Sequence, residues 1–208
     1  MSSIAFDRVT KSYGDKVALK EIAFTFPENQ TTAVIGPSGS GKSTLIQLIN
    51  GLLRPDEGHI TVFNSKIDYD DLPKLRRRMG YAVQGTGLFP HLTVEKNITL
   101  LGILENWQHE RLRERAKELV NLVNLDPTFF PKFPHELSGG EQQRVGLCRA
   151  MMLNPRIFLL DEAFGALDPV TRSEIHAEFL KLQTLEARTI VLVTHDLREA
   201  FKLSDQIV

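Results

Sequence analysis

The residues Gly36-Pro37-Ser38-Gly39-Ser40-Gly41-Lys42-Ser43-Thr44 satisfy the pattern G-x-x-x-x-G-K-[ST] at every fixed position. The chemistry of that pattern is phosphate binding. Glycines let successive backbone N–H groups turn toward phosphate oxygens, and a helix start just behind them adds roughly half a positive charge at the same spot. Lys42 is then expected to reach the β- and γ-phosphates of a nucleotide, Ser43 to ligate Mg2+ and Thr44 to donate to the α-phosphate.

Two adjacent carboxylates, Asp161 and Glu162, end the apolar run Ile157-Phe158-Leu159-Leu160. Beside a phosphate loop, one such acid holds Mg2+, usually through water, and a second orients and deprotonates the attacking water. Adjacent strand residues point differently, so Asp161 is assigned the metal and Glu162 the base. His195 follows the run Thr189-Ile190-Val191-Leu192-Val193 and is a candidate γ-phosphate donor, against the more frequent structural role of a lone histidine. Gln84 ends Gly80-Tyr81-Ala82-Val83, at the kind of strand end where ligand-facing groups collect, with plain surface exposure as the alternative. In Leu137-Ser138-Gly139-Gly140-Glu141, Ser138 and Glu141 form a capping box for a helix carrying Val145, Cys148 and Met152 inward. Two glycines in a first turn cost up to about 1 kcal/mol each relative to alanine. They make better sense where a phosphate approaches the helix start.

The elements that must position these groups are also legible. Thr31-Thr32-Ala33-Val34-Ile35 reads as a buried strand before the phosphate loop, and Leu45 to Asn50 as a helix closed by Gly51. Ile4-Ala5-Phe6, Val17-Ala18-Leu19 and Ile22 to Phe26 read as short antiparallel strands, with Gly14-Asp15 as a turn and Pro27 as a stop. Tyr13 lies in this layer, where the local pattern favours a packed strand aromatic over a base-stacking one. His59 to Phe63 returns as strand. Lys74, Arg76, Arg77 and Arg78 are expected on a solvated helix face. Beyond Gln84 come a loop and roughly fifty residues of helix, with Leu112, Ala116, Leu119, Val120 and Val123 on one apolar face. Pro127 and Pro131-Lys132-Phe133-Pro134 close this stretch, and Gly165 to Pro169 turns into a helix reaching Leu185.

The 208 residues suit one domain with an inserted subdomain. With 25 basic and 26 acidic residues, net charge gives no case for nucleic acid. Cys148, the single cysteine, excludes an intrachain disulfide and fits a reducing compartment, and no apolar run reaches the length of a spanning helix. A soluble cytoplasmic chain is expected.

The Leu137 to Glu141 element, with the phosphate loop before it and Leu160-Asp161-Glu162 after it, resembles the ATP-binding subunit of ABC transporters over essentially the whole chain. The resemblance implies an α/β fold: a P-loop NTPase core with a mainly parallel sheet flanked by helices, an N-terminal antiparallel β subdomain and an inserted helical subdomain. Residues 1–84 and 155–208 would form the core with the β subdomain, and 85–154 the helical subdomain. It implies a homodimer, or paired ATPase subunits, formed on binding ATP with Mg2+. Each ATP would lie between the phosphate loop of one subunit and the LSGGE element of the other.

Carried onto these positions, Tyr13 would stack on adenine, reversing the local reading, and Gly36 to Thr44 would hold the phosphates. Gln84 would contact Mg2+ or its water and link the site to the helical subdomain. Ser138, Gly139 and Gly140, with Glu141 in the same element, would meet the γ-phosphate across the dimer. Asp161, Glu162, Asp168 and His195 would supply the metal contact, the base, a cross-dimer loop and a γ-phosphate contact. The implied partners are integral membrane permease subunits and, indirectly, a solute-binding protein, with the ATPase peripheral on the cytoplasmic face of the membrane. Gln84 to Val94 and Phe164 to Pro169 look most like osmoprotectant or quaternary-amine importers, for glycine betaine, choline or proline. The alternative is a soluble or exporter-type ABC ATPase, whose soluble members usually carry a long coiled-coil insertion or two cassettes. Two departures stand out: Ala163 replaces the proline that usually follows the acidic pair, and the chain is expected to be truncated at Val208, where the family continues.

Overall fold

The computed structural model describes residues 2–83, 85, 87–185 and 187–208. In chain order its elements begin with β1 (Ser2–Tyr13), β2 (Lys16–Pro27), β3 (Thr31–Val34), α1 (Lys42–Ile49), β4 (Glu57–Val62) and β5 (Ser65–Lys66). Next come α2 (Leu72–Arg76), β6 (Met79–Ala82), α3 (Val94–Leu104), α4 (His109–Leu122) and α5 (Gly139–Met151). The chain ends with β7 (Ile157–Asp161), α6 (Pro169–Leu185), β8 (Thr189–Val193), α7 (Leu197–Leu203) and β9 (Gln206–Ile207). It divides into two compact units, Met1–Met79 with Arg156–Asp161 and Ala187–Val208, and Gly80–Pro155 with Glu162–Glu186.

The first unit holds two sheets. One is antiparallel, in the order β2-β1-β4-β5, and pairs Ile4 with both Phe26 and Val62, so that these three buried side chains share a row. The three short strands expected at the N-terminus are in fact two strands of 12 residues each. Sequence pattern hid this because the ladder slips at bulges between Phe6 and Val9, where Arg8 takes φ 47°, and a bulge breaks the alternation of apolar and polar positions. In the other sheet β7, β8, β3 and β9 run parallel side by side. Every residue of β3, β7 and β8 is buried, the signature of strands covered on both faces.

The basic run has a structural use beyond a solvated face. Arg76 donates from Nε to the Asn50 carbonyl and from Nη2 to the Gly51 carbonyl, both at 3.0 Å, and so satisfies the carbonyls that end α1. Arg78 lies 3.7 Å over the Phe63 ring.

The second unit is helical. Leu112, Ala116, Leu119 and Val120 form the buried stripe of α4, as their spacing predicts, and Val145, Cys148 and Met152 are fully buried. The proline-rich stretch forms two single 3-10 turns, Pro127–Phe129 and Pro134–Glu136. Among the described residues, no helix is long and apolar enough to cross a membrane.

Candidate functional site

The first unit gathers four groups at one end of its parallel sheet. Val34, Val193 and Asp161 pair in a single row across β3, β8 and β7, so the segments that follow β3 and β8 leave the sheet beside Asp161. The segment after β3 is Gly36 to Thr44. Gly39 and Gly41 adopt φ 80° and 94°, a region where a side chain is strained. A Cβ on Gly41 would stand 2.7 Å from the Ala18 carbonyl oxygen, so this position admits glycine alone. The turn aims the start of α1 back along the loop. Lys42, 8% exposed, donates from Nζ to the carbonyls of Gly36 and Pro37 at 2.8 Å each. Its ammonium is thereby curled over the loop that a phosphate would enter.

Ser43 Oγ donates to Asp161 Oδ1 at 3.3 Å, and Asp161 is 3% exposed. Mg2+ takes one or two protein oxygens and fills its shell from water and substrate phosphates, so a hydroxyl beside a carboxylate fits it without a dedicated cage. No group of three or more His, Cys, Asp or Glu side chains placed to hold a metal occurs among the described residues. His195 follows β8 and is exposed, and the next residue, Asp196, caps α7 by accepting from the Arg198 and Glu199 N–H groups. Tyr13 ends β1 with its side chain 49% exposed, unlike the buried Ile4, Phe6 and Val9 of the same strand. Its hydroxyl is 3.5 Å from Thr44 Oγ1. The ring therefore stands at the phosphate loop and outside the core.

The second unit carries the remaining candidates, except Gln84, which lies outside the described residues. Ser138 Oγ accepts from the Glu141 N–H at 3.3 Å, and the Glu141 carboxylate accepts from the Ser138 N–H at 2.7 Å, the reciprocal cap expected from sequence. That Ser138 N–H holds the Glu141 carboxyl below the ordinary carboxylate range. Neither Gly139 nor Gly140 has positive φ. A Cβ on Gly139 would meet nothing within 4 Å, and one on Gly140 only ordinary contacts at 3.5 and 3.6 Å. Among the described residues, neither a positive φ nor a close contact demands glycine at either position.

Glu162 takes φ 49°, a left-handed conformation that costs a non-glycine residue about 1–2 kcal/mol. The turn after it is pinned at several points. Phe164 packs edge-on against His176 with ring centroids 4.9 Å apart. Asp168 accepts from the Val170 and Thr171 N–H groups at the start of α6, and Thr171 holds its carboxyl below the usual range. Gln143, on α5, donates from Nε2 to the Glu162 carbonyl at 3.3 Å and accepts the Ala166 N–H on Oε1 at 3.0 Å. Sequence reasoning passed over Gln143. The available signal was its place, three residues before Gly146 and four before Leu147, on the buried stripe of α5, where a polar side chain needs a partner.

Residues 19–165 match the family described as ABC transporter. The glycine betaine/carnitine/choline transport ATP-binding protein OpuCA of Bacillus subtilis is 45% identical over 206 residues, covering 99% of this chain and 54% of that protein. The chain thus spans about half the length of this and other curated relatives that it matches. Among solved structures, the dimeric MJ0796 bacterial ABC transporter cassette superposes with a TM-score of 0.93 at 37% identity, covering 99% of this chain and 93% of that one. A post-hydrolysis dimer of the same cassette, bound to ADP and Pi, gives a TM-score of 0.91 at 36% identity, covering 99% and 96%. The chain belongs to the ABC transporter family and has the α/β fold of its ATP-binding cassettes.

Proposed function

We propose that the chain binds ATP with Mg2+, hydrolyses it, and works as the motor of a transporter whose membrane-spanning permease is separate. The observation that carries this is the phosphate loop itself. Glycines in left-handed conformations place Lys42 at a helix start, and the next residue, Ser43, lies within hydrogen-bond reach of a buried carboxylate.

In this reading Gly36 to Thr44 cradle the phosphates, Lys42 meets the β- and γ-phosphates, and Tyr13 offers its exposed face to adenine. Ser43 and Asp161 would hold Mg2+, Asp161 through water, and the metal would neutralise charge developing on the phosphates. Glu162 accepts the proton of the attacking water and His195 donates to the γ-phosphate. Gln84 carries the resemblance-based role of a Mg2+ or water contact. Positioning and fixed charge do most of the chemistry, with no covalent intermediate.

Ser138, Gly139 and Gly140, beside the capping carboxylate of Glu141, would enclose the nucleotide held by a second copy, with the Asp168 loop at that interface. The dimeric state of the MJ0796 cassette and the unexplained glycines support this. We further propose the division into residues 1–84 with 155–208 and 85–154, a peripheral place on the cytoplasmic face of the membrane, and an osmoprotectant or quaternary amine delivered by a solute-binding protein as cargo. The name of the OpuCA relative supports the last of these.

Reconstitution of the chain with its permease in vesicles tests the reading. Phosphate release from ATP should require Mg2+ and should rise when glycine betaine or choline is presented with its binding protein. Release that ignores every quaternary amine would refute the cargo, and ATP binding without any phosphate release would refute the motor.

A further inference from the structure

We propose that Gln143 is a positioning residue for the base: one amide side chain that fixes the strained turn on which Glu162 is mounted. The proposal rests on the reading of Glu162 as general base.

Three features of the second unit point to it. First, Glu162 sits at φ 49°, which a glutamate does not hold unless neighbours impose it. Secondly, the bonds that hold its carbonyl come both from within the turn and from outside it. The Glu162 carbonyl accepts from the Gly165 N–H at 3.2 Å, a bond within the turn, and from Gln143 Nε2 at 3.3 Å, a bond from outside it. The same Gln143 amide accepts the Ala166 N–H at 3.0 Å, so it ties down both ends of the turn at once. A carbonyl on one side and an N–H on the other fix which way the amide points. Thirdly, Gln143 is 5% exposed and borders a cavity of only about 10 Å3, shared with Ala163, Gly146 and Leu147. That is room for about one water at most, so solvent would replace its two bonds poorly.

The turn depends on this side chain all the more because Ala163, buried at 1% exposure, brings no ring constraint of its own. If the Glu162 peptide rotates, its Cα–Cβ bond swings with it and the carboxylate leaves the line to the attacking water. General-base catalysis is sensitive to such displacement: a misplacement of about 1 Å can cost about a hundredfold in rate.

Gln143→Met keeps the length and bulk of the side chain and removes both bonds. It is expected to lower kcat about 10- to 100-fold while leaving KM and the nucleotide Kd within about twofold. In single-turnover assays on a Glu162→Gln background, the same substitution is expected to cost nothing further, because a base that is already absent cannot be misplaced. If Gln143→Met fails to fold, Gln143→Glu serves: it keeps an acceptor for Ala166 and sets a carboxylate oxygen against the Glu162 carbonyl, and the same fall in kcat is expected. An unchanged kcat, or an equal loss in both backgrounds, overturns the proposal. Should Glu162→Gln itself leave hydrolysis intact, the base assignment fails. Should it abolish hydrolysis while the Gln143 variants turn over normally, only the role of Gln143 falls.

Discussion

Glu162→Gln is expected to lower steady-state phosphate release by about 10²–10⁴-fold, the usual worth of a positioned general base. The carboxamide keeps the shape of the side chain and the strained backbone beneath it, so the substitution removes a proton acceptor and little else. Nucleotide affinity is expected to survive, because Gly36 to Thr44 and Asp161, which hold the phosphates and Mg2+ in the proposed reading, are left unaltered. Phosphate release measured beside equilibrium ATP binding checks both halves. Unchanged release would remove Glu162 from the chemistry, and lost binding would make it a structural or phosphate-contacting residue instead.

Lys42→Ala is expected to act on the opposite quantity. Lys42 is nearly buried, with its ammonium against two carbonyl oxygens of its own loop. A hydrogen bond involving a charged group is worth about 1.5–3 kcal/mol, so losing it from the phosphates should weaken ATP binding by about 10- to 150-fold. Hydrolysis should fall further than binding, since the same charge also stabilises the oxygens of the transferring phosphoryl group. The two carbonyls left behind can turn to water, and the melting temperature should move little. Titration with ATP and a thermal melt separate the effects. An unchanged Kd would mean that the ammonium stays on Gly36 and Pro37 when nucleotide binds.

The phosphate loop was legible because its physics is local: glycines, a helix start and a lysine read in one stretch. The buried strands β3, β7 and β8 were legible for a related reason, being short β-branched or apolar runs that lead into the phosphate loop, Asp161 and Thr194. The N-terminal hairpin was not, since the bulges near Arg8 interrupt the alternation on which strand reading relies. The use of Arg76 at the end of α1 was hidden too, because a charge run carries no mark of which carbonyls it reaches across 25 or 26 residues. Gln143 illustrates the same limit. Its partners, Glu162 and Ala166, lie 19 and 23 residues away, and their need of it follows from a backbone angle that no residue type announces. Tyr13 shows the converse: local pattern favoured a packed strand aromatic, and the structure places the ring half-exposed beside Thr44.

In the proposed dimer one ATP site is completed by two copies of the chain, and complementation between two variants distinguishes this from a site held within a single copy. Lys42→Ala disables the phosphate loop of a copy. Gly139→Asp disables the helix start that would face the partner's nucleotide, by setting a negative charge there, and its added Cβ meets nothing within 4 Å, so the fold should tolerate it. Each variant alone should be inactive. In an equal mixture, half the dimers pair one variant with the other, and each of these holds one site in which both halves are intact, so about a quarter of wild-type phosphate release should return. No return of activity on mixing would contradict a shared site and place both halves within one chain.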